Sequence, residues 1–257
     1  MCFEPGALPP IPPIAGGATD ARDLTLTSAD GTKFMAYAAR AVQPTGAGIV
    51  VLPDVRGLHE YYKELALRYA EAGVDAVAID YFARTAEDED RGGEFDFMPH
   101  VRQTNIETVQ ADVAAAVAFM RSPEGGAVKS LFATGFCYGG ALASLQSGSG
   151  LGYAGVIPFY GWPLGLPLGP ILPRPIDHVS SFKSPILAIY GGGDAGIPPD
   201  AIKSFDDALA AAGVKHETHV YPNAPHSFFD RTQHEWKDAC TDSWKQVLGF
   251  IKANSAG

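Results

Sequence analysis

Residues 129–146 read KSLFATGFCYGGALASLQ, and their reading decides the fold. An apolar run over 131–134 leads into Gly135-Phe136-Cys137-Tyr138-Gly139-Gly140, and small residues follow to position 147. The spacing predicts a buried strand, a sharp turn and then a helix. Glycine two positions before and two after Cys137 points to a backbone so tight that a Cβ on either side would clash. A side chain on such a turn sits at a helix N-terminus. Free N–H groups and the positive end of the dipole there favour a thiolate and an incoming oxyanion. Cys137 is therefore a candidate nucleophile in a G-x-nucleophile-x-G turn, with cysteine in the place of serine.

On both sides of this turn, short apolar runs alternate with longer helical stretches. The runs lie at 48–52, 74–79, 131–134, 154–159, 186–190 and 219–221 with its flanks. Apolar runs without alternation suit strands covered on both faces, as in a parallel sheet. Helices are expected over 60–72, 105–120, 140–147, 200–212 and 235–252. In the second of these, Ile106, Val109, Val113, Val117 and Met120 make one apolar stripe. Upstream, 24–27 and 33–37 alternate around Asp30-Gly31, a hairpin signal. The whole pattern predicts an α/β fold: a mostly parallel eight-stranded sheet flanked by helices, its first two strands antiparallel, with residues 1–257 as one domain. The Pro-rich stretch 5–17 is expected as an extended arm, and 161–184 as a small flap that makes a minimal cap.

Two later segments complete a constellation around Cys137. Gly191-Gly192-Gly193-Asp194 puts an acid just after the strand at 186–190, and Pro225-His226-Ser227-Phe228 puts a histidine after the last strand. All three residues then lie at the carboxyl ends of parallel strands, where ligands bind in such sheets. The triple glycine lacks the G-x-G-x-x-G spacing and neither Walker motif is present, so no nucleotide cofactor is implied. His216 and His219 have no third ligand nearby, so no metal is expected either.

Composition narrows the partners. The 257 residues carry a net charge of −10 with no basic cluster, a poor match for nucleic acid or anionic lipid. No apolar stretch approaches the roughly 20 residues that a membrane span needs. Cys2, Cys137 and Cys240 form neither a disulfide framework nor a CxxC pair, and the first residues lack the pattern of a signal peptide. A cytoplasmic protein with reduced thiols is expected, a monomer or weak homodimer acting on a small molecule. The acidic run 87–90 reads as a solvated loop, and Cys2 and Cys240 as bystanders.

The order nucleophile, acid, histidine is that of the α/β-hydrolase arrangement. Over residues 22–250 the sequence resembles the dienelactone hydrolase (carboxymethylenebutenolidase) family of that fold. The likeness rests on GFCYGG at Cys137, GGGD at Asp194, PHSF at His226, LPDVRG at Asp54 and DYFAR at Arg84. It implies Cys137 as nucleophile, His226 as general base, Asp194 as its orienting acid, and the backbone N–H groups of Val55 and Tyr138 as the oxyanion hole. It also implies that Asp54 tunes the thiol, from a position where the family usually has glutamate, and that Arg84 binds a substrate carboxylate. The family's second carboxylate-binding arginine falls here on Asp230, with Arg231 one residue later. That departure weakens the expectation of a dienelactone substrate and opens neutral aryl esters or phosphotriesters as the alternative. A non-catalytic binding protein on the same fold is a third reading. Phe136, Tyr138, Tyr160, Trp162, Phe228 and Phe229 lie near the predicted loops and suggest an apolar entrance.

Overall fold

Apolar runs without alternation form the middle of the sheet, as burial on both faces requires. The computed structural model describes residues 6–87, 91–92, 95–169 and 171–256. Strands β1 (Ala18–Thr27) and β2 (Lys33–Ala41) make the antiparallel hairpin, with Gly31 in the left-handed region at its turn. The remaining strands are β3 (Ala47–Leu52), β4 (Asp75–Ile79), β5 (Ser130–Phe136), β6 (Gly155–Phe159), β7 (Ile186–Gly191) and β8 (His216–Tyr221). Their order across the sheet is β1-β2-β4-β3-β5-β6-β7-β8. β2 meets β4 antiparallel, and every pairing from β4 to β8 is parallel. Strands β3 to β7 are buried along their whole length, whereas β8, at the edge, is half-buried.

Among the described residues six helices flank the sheet: α1 (Glu60–Glu71), α2 (Phe97–Val101), α3 (Ile106–Arg121), α4 (Tyr138–Gln146), α5 (Pro199–Ala211) and α6 (Lys237–Asn254). α3 buries Val109, Val113, Val117 and Met120, while Ile106 is partly covered at its start. Each such side chain contributes about 1.5–3 kcal/mol of transfer free energy. The Asn105 side chain accepts from the N–H groups of Glu107 and Thr108 and so caps the helix. α4 is the departure from amphipathic design, since all nine of its residues are buried.

The expected flap begins with irregular chain and ends in a 3₁₀ turn over Pro175–Ser181. Ile176 N–H donates to Pro163 O at 3.1 Å, which draws the two ends of the intervening loop together. Leu164 and Leu168 on that loop are exposed. The described part of the arm lies without regular structure before β1. The Gln233 amide donates to Leu8 O, and Ile14 N–H donates to Glu71 Oε2 at 3.0 Å. Residues 88–90 of the acidic run, and Cys2, lie outside the described residues. Among the described residues no helix is long and apolar enough to cross a membrane.

Candidate active site

Cys137 sits between the end of β5 and the start of α4 with φ +58° and ψ −115°, a conformation L-residues rarely adopt. Its N–H donates to Phe159 O at 3.1 Å, and its carbonyl accepts from Gly140 N–H (3.0 Å) and Ala141 N–H (3.2 Å). The flanking glycines are steric requirements. A Cβ on Gly135 would lie 1.9 Å from Gly139 O, and one on Gly139 would lie 2.1 Å from Leu52 O and 2.2 Å from Pro53 O. The second contact also shows that the turn is pressed against the loop leaving β3.

That loop is the one from which an oxyanion donor is expected, and it is pinned at several points. Tyr81 OH donates to Pro53 O at 2.9 Å, and Asp54 N–H donates to Tyr62 OH at 3.1 Å. Leu58 N–H donates to Asp80 Oδ1 at 3.0 Å. Asp80 is fully buried and also accepts from Phe82 N–H and from two Arg91 nitrogens, each at about 3.0 Å or less. Val55 lies within this fixed loop. Tyr138 is the first residue of α4, where an N–H has no intrahelical acceptor.

The acid and the histidine meet across β7 and β8. Asp194 Oδ2 lies 2.6 Å from His226 Nδ1, while Oδ1 accepts from Gly196 N–H (2.8 Å) and Ile197 N–H (3.3 Å). The triple glycine has a packing reason. Gly192 N–H donates to Tyr221 O and Gly193 N–H to Ala224 O, and a Cβ on Gly193 would lie 2.5 Å from Asn223 O. The two loops are thus zipped backbone to backbone, which sets the distance between Asp194 and His226. Turns at Asn223 and Ser227, both with φ near +60°, point the chain back on each side of the histidine.

The other residues singled out by the sequence fare differently. Asp54 is fully buried, and its Oδ1 accepts from Arg56 N–H at 2.9 Å in a local turn. Arg84 makes two bonds to the buried carboxylate of Asp112 (2.6 and 2.8 Å) and two to Asp30 (3.0 and 3.2 Å). Its guanidinium fork is committed within the fold; reaching a substrate carboxylate would strip Asp112 of that partner. Asp230 is buried and accepts from Tyr160 OH at 2.8 Å and from Arg231 N–H, while Arg231 itself points to solvent. Burial first, and the nearby Asp54 second, push the Asp230 carboxyl well above the usual range, which favours its neutral form.

The expected apolar entrance is mostly core. Phe136, Tyr138, Tyr160, Phe228 and Phe229 are at most 1% exposed, and of the six only Trp162 is partly open. The Cys240 thiol, likewise buried, donates to Phe228 O, and burial pushes it up to about 12. It is poorly placed to react. The structural parts that the sequence did not single out are Asp80, Asp112 and the Tyr160–Asp230 bond, whose partners are far apart along the chain.

Taken together, a helix-start cysteine, a carboxylate–imidazole pair and a pinned backbone loop are the components of covalent acyl transfer. A model of the dienelactone hydrolase family matches residues 34–255. An Escherichia coli (strain K12) protein provisionally named carboxymethylenebutenolidase is 29% identical, covering 97% of this chain and 94% of its own. A solved structure from Klebsiella pneumoniae, provisionally named a dienelactone hydrolase, aligns with TM-score 0.78 and 25% identity over 91% of this chain and 99% of that one. A structure described as a dienelactone hydrolase-like promiscuous phosphotriesterase from metagenomic libraries aligns with TM-score 0.70 and 22% identity, covering 93% and 99%.

Proposed function

The chain belongs to the dienelactone hydrolase family, and from that premise we propose that it hydrolyses carboxylic esters or lactones through a thioester on Cys137. The observation that carries this reading is the 2.6 Å contact between Asp194 and His226 on loops that share the carboxyl edge of the sheet with the left-handed Cys137. In the proposed cycle His226 takes the Cys137 thiol proton as the sulfur attacks the ester carbonyl carbon, and the π electrons move onto oxygen. The N–H groups of Val55 and Tyr138 receive that oxyanion. Losing the alignment of either one would cost on the order of 2.7–4 kcal/mol of barrier. Collapse expels an alkoxide or enolate, which takes its proton from the His226 imidazolium. A water molecule then attacks the thioester carbon while His226 takes its proton, and the acid leaves as the thiolate is released. Asp194, bonded at Nδ1, holds the imidazole with Nε2 toward the chemistry, as the acid does in serine triads.

Two features favour an uncharged substrate within this reading. Arg84 is already held by Asp112 and Asp30, and the position after His226 that the resemblance reserves for an arginine holds the buried Asp230. A carboxylate substrate would meet no released cation at Arg84, and the buried Asp230 supplies no positive charge in place of the arginine. Neutral aryl esters, or phosphotriesters with a good leaving group, are the second form of the proposal; the fold shared with the metagenomic phosphotriesterase is compatible with it.

Intact mass after brief mixing with p-nitrophenyl acetate tests the reading. The wild type is expected to gain one acetyl group and lose it with time, and Cys137→Ala to gain none and to lose at least about 10³-fold in turnover. Full activity in Cys137→Ala would overturn the thioester mechanism. A strong preference for an anionic lactone over the neutral ester would overturn the choice of an uncharged substrate.

A further inference from the structure

His226 is gripped by more than its carboxylate. The Trp162 ring lies 4.5 Å from the imidazole, centroid to centroid, at an interplanar angle of 31°, and the Tyr160 ring lies 5.0 Å away at 58°. Both residues leave the end of β6, a strand that supplies none of Cys137, Asp194 or His226. Tyr160 is wholly buried and held at both ends: its N–H donates to Ile189 O at 2.7 Å, and its hydroxyl donates to Asp230 at 2.8 Å. It also sits at φ +37°, a conformation that persists only where the surroundings enforce it. Trp162 faces the acid loop as well. A Cβ on Gly196 would lie 3.3 Å from the indole nitrogen and 3.3 Å from Asp194 Oδ1, so the indole edge packs where Asp194 takes its backbone bonds.

We propose that Trp162 and Tyr160 are positioning residues that fix the plane of the His226 imidazole, with Asp230 anchoring Tyr160. The inference rests on the hydrolase reading above. A bond at Nδ1 fixes one atom of an imidazole but not the plane of its ring, which keeps the freedom to rock. Two ring walls remove the freedom and keep Nε2 aimed, which matters because misorientation of a catalytic group costs rate steeply. The ring faces also carry negative quadrupole charge, which favours the imidazolium formed in each half of the cycle. Deacylation is the more sensitive half. Sulfur is intrinsically the stronger nucleophile, whereas water attacks the thioester only as His226 takes its proton.

The test compares wild type with Trp162→Leu, Trp162→Phe and Tyr160→Phe on p-nitrophenyl acetate. Trp162→Leu keeps apolar cover over the imidazole but removes the ring wall. Its kcat is expected to fall about tenfold with KM unchanged or lower, and acetylated Cys137 is expected to accumulate at steady state by intact mass. Trp162→Phe restores most of the rate. Tyr160→Phe deletes one oxygen from a buried ring and shifts the same quantities in the same direction by a smaller factor, so it carries the test if Trp162→Leu does not fold. A Trp162→Leu or Tyr160→Phe enzyme with wild-type kcat, a loss of kcat without acyl-enzyme accumulation, or a Trp162→Phe rate no better than that of Trp162→Leu would overturn the positioning role. A wild type that neither turns over nor acylates would instead overturn the hydrolase reading itself.

Discussion

At the scale of single residues, the site is built by what cannot be larger as much as by what reacts. Cys137 holds a backbone conformation that costs on the order of 1–3 kcal/mol, and the surrounding chain enforces it. Gly139 lets that turn lie against the carbonyls of Leu52 and Pro53. Gly139→Ala is therefore expected to cost about 1–3 kcal/mol in urea unfolding through overpacking. It should also lower turnover by at least about 10²-fold, because the turn and the loop carrying Val55 must separate. Wild-type rates in that variant would show that the two loops need no such contact. The Cys137 turn and the Asp194–His226 contact are legible in the sequence because each of these residues stands in a short glycine- or proline-marked turn directly after an apolar run. Arg84 was legible only as a charge. Its partners Asp112 and Asp30 lie 28 and 54 residues away, so no local pattern could reveal that its fork is taken. The same is true of Tyr160 and Asp230, 70 residues apart.

At the scale of elements, the strands and helices that pattern predicts are those with a strong period. The α3 stripe and the β3 to β7 runs are cases where burial and periodicity agree. α2 was missed because five residues with proline in the middle carry no period to read. β8 is legible as 219–221 with its flanks but without a sharp start, since HETHVY is polar and only half-buried, as an edge strand is. The antiparallel meeting of β2 with β4 has no local signature at all, being a choice between distant partners. The six aromatics near the strand ends show the same limit: their type marks them as apolar, but only packing decides that five are core. Caps, in contrast, act locally. Asn105→Ala is expected to lower stability by about 1 kcal/mol and Asn105→Ser by much less, measured by urea unfolding. Equal losses in the two variants would show that the side-chain bonds to Glu107 and Thr108 are not what holds the start of α3.

At the scale of the whole molecule, two buried titratable groups pull stability in opposite directions with pH. Burial, then Arg56, lowers His59 to about 3, so the unfolded chain binds a proton there that the folded chain refuses. Stability from that source is lost as pH falls below about 6.5. Asp230 has the reverse sign. Its folded carboxyl keeps a proton that the unfolded chain gives up, so stability is lost as pH rises above the ordinary carboxylate value. Asp230→Asn removes that titration and is expected to stabilise the protein at pH 8 by at least about 1 kcal/mol, with the gain shrinking towards pH 4. Urea melts across that range check it; a gain that does not vary with pH would mean that Asp230 is ionised in the fold. The loop closed by the bond between Ile176 and Pro163 has a different kind of consequence. Its ends are already held together, so doubling the chain between them adds only about 0.6 kcal/mol of closure entropy. It begins after Trp162 and ends within the 3₁₀ segment, on the chain that follows β6 and not on the strands that lead to Cys137, Asp194 and His226. This is the stretch where new sequence can be grafted while the strands that hold the reacting groups stay where they are.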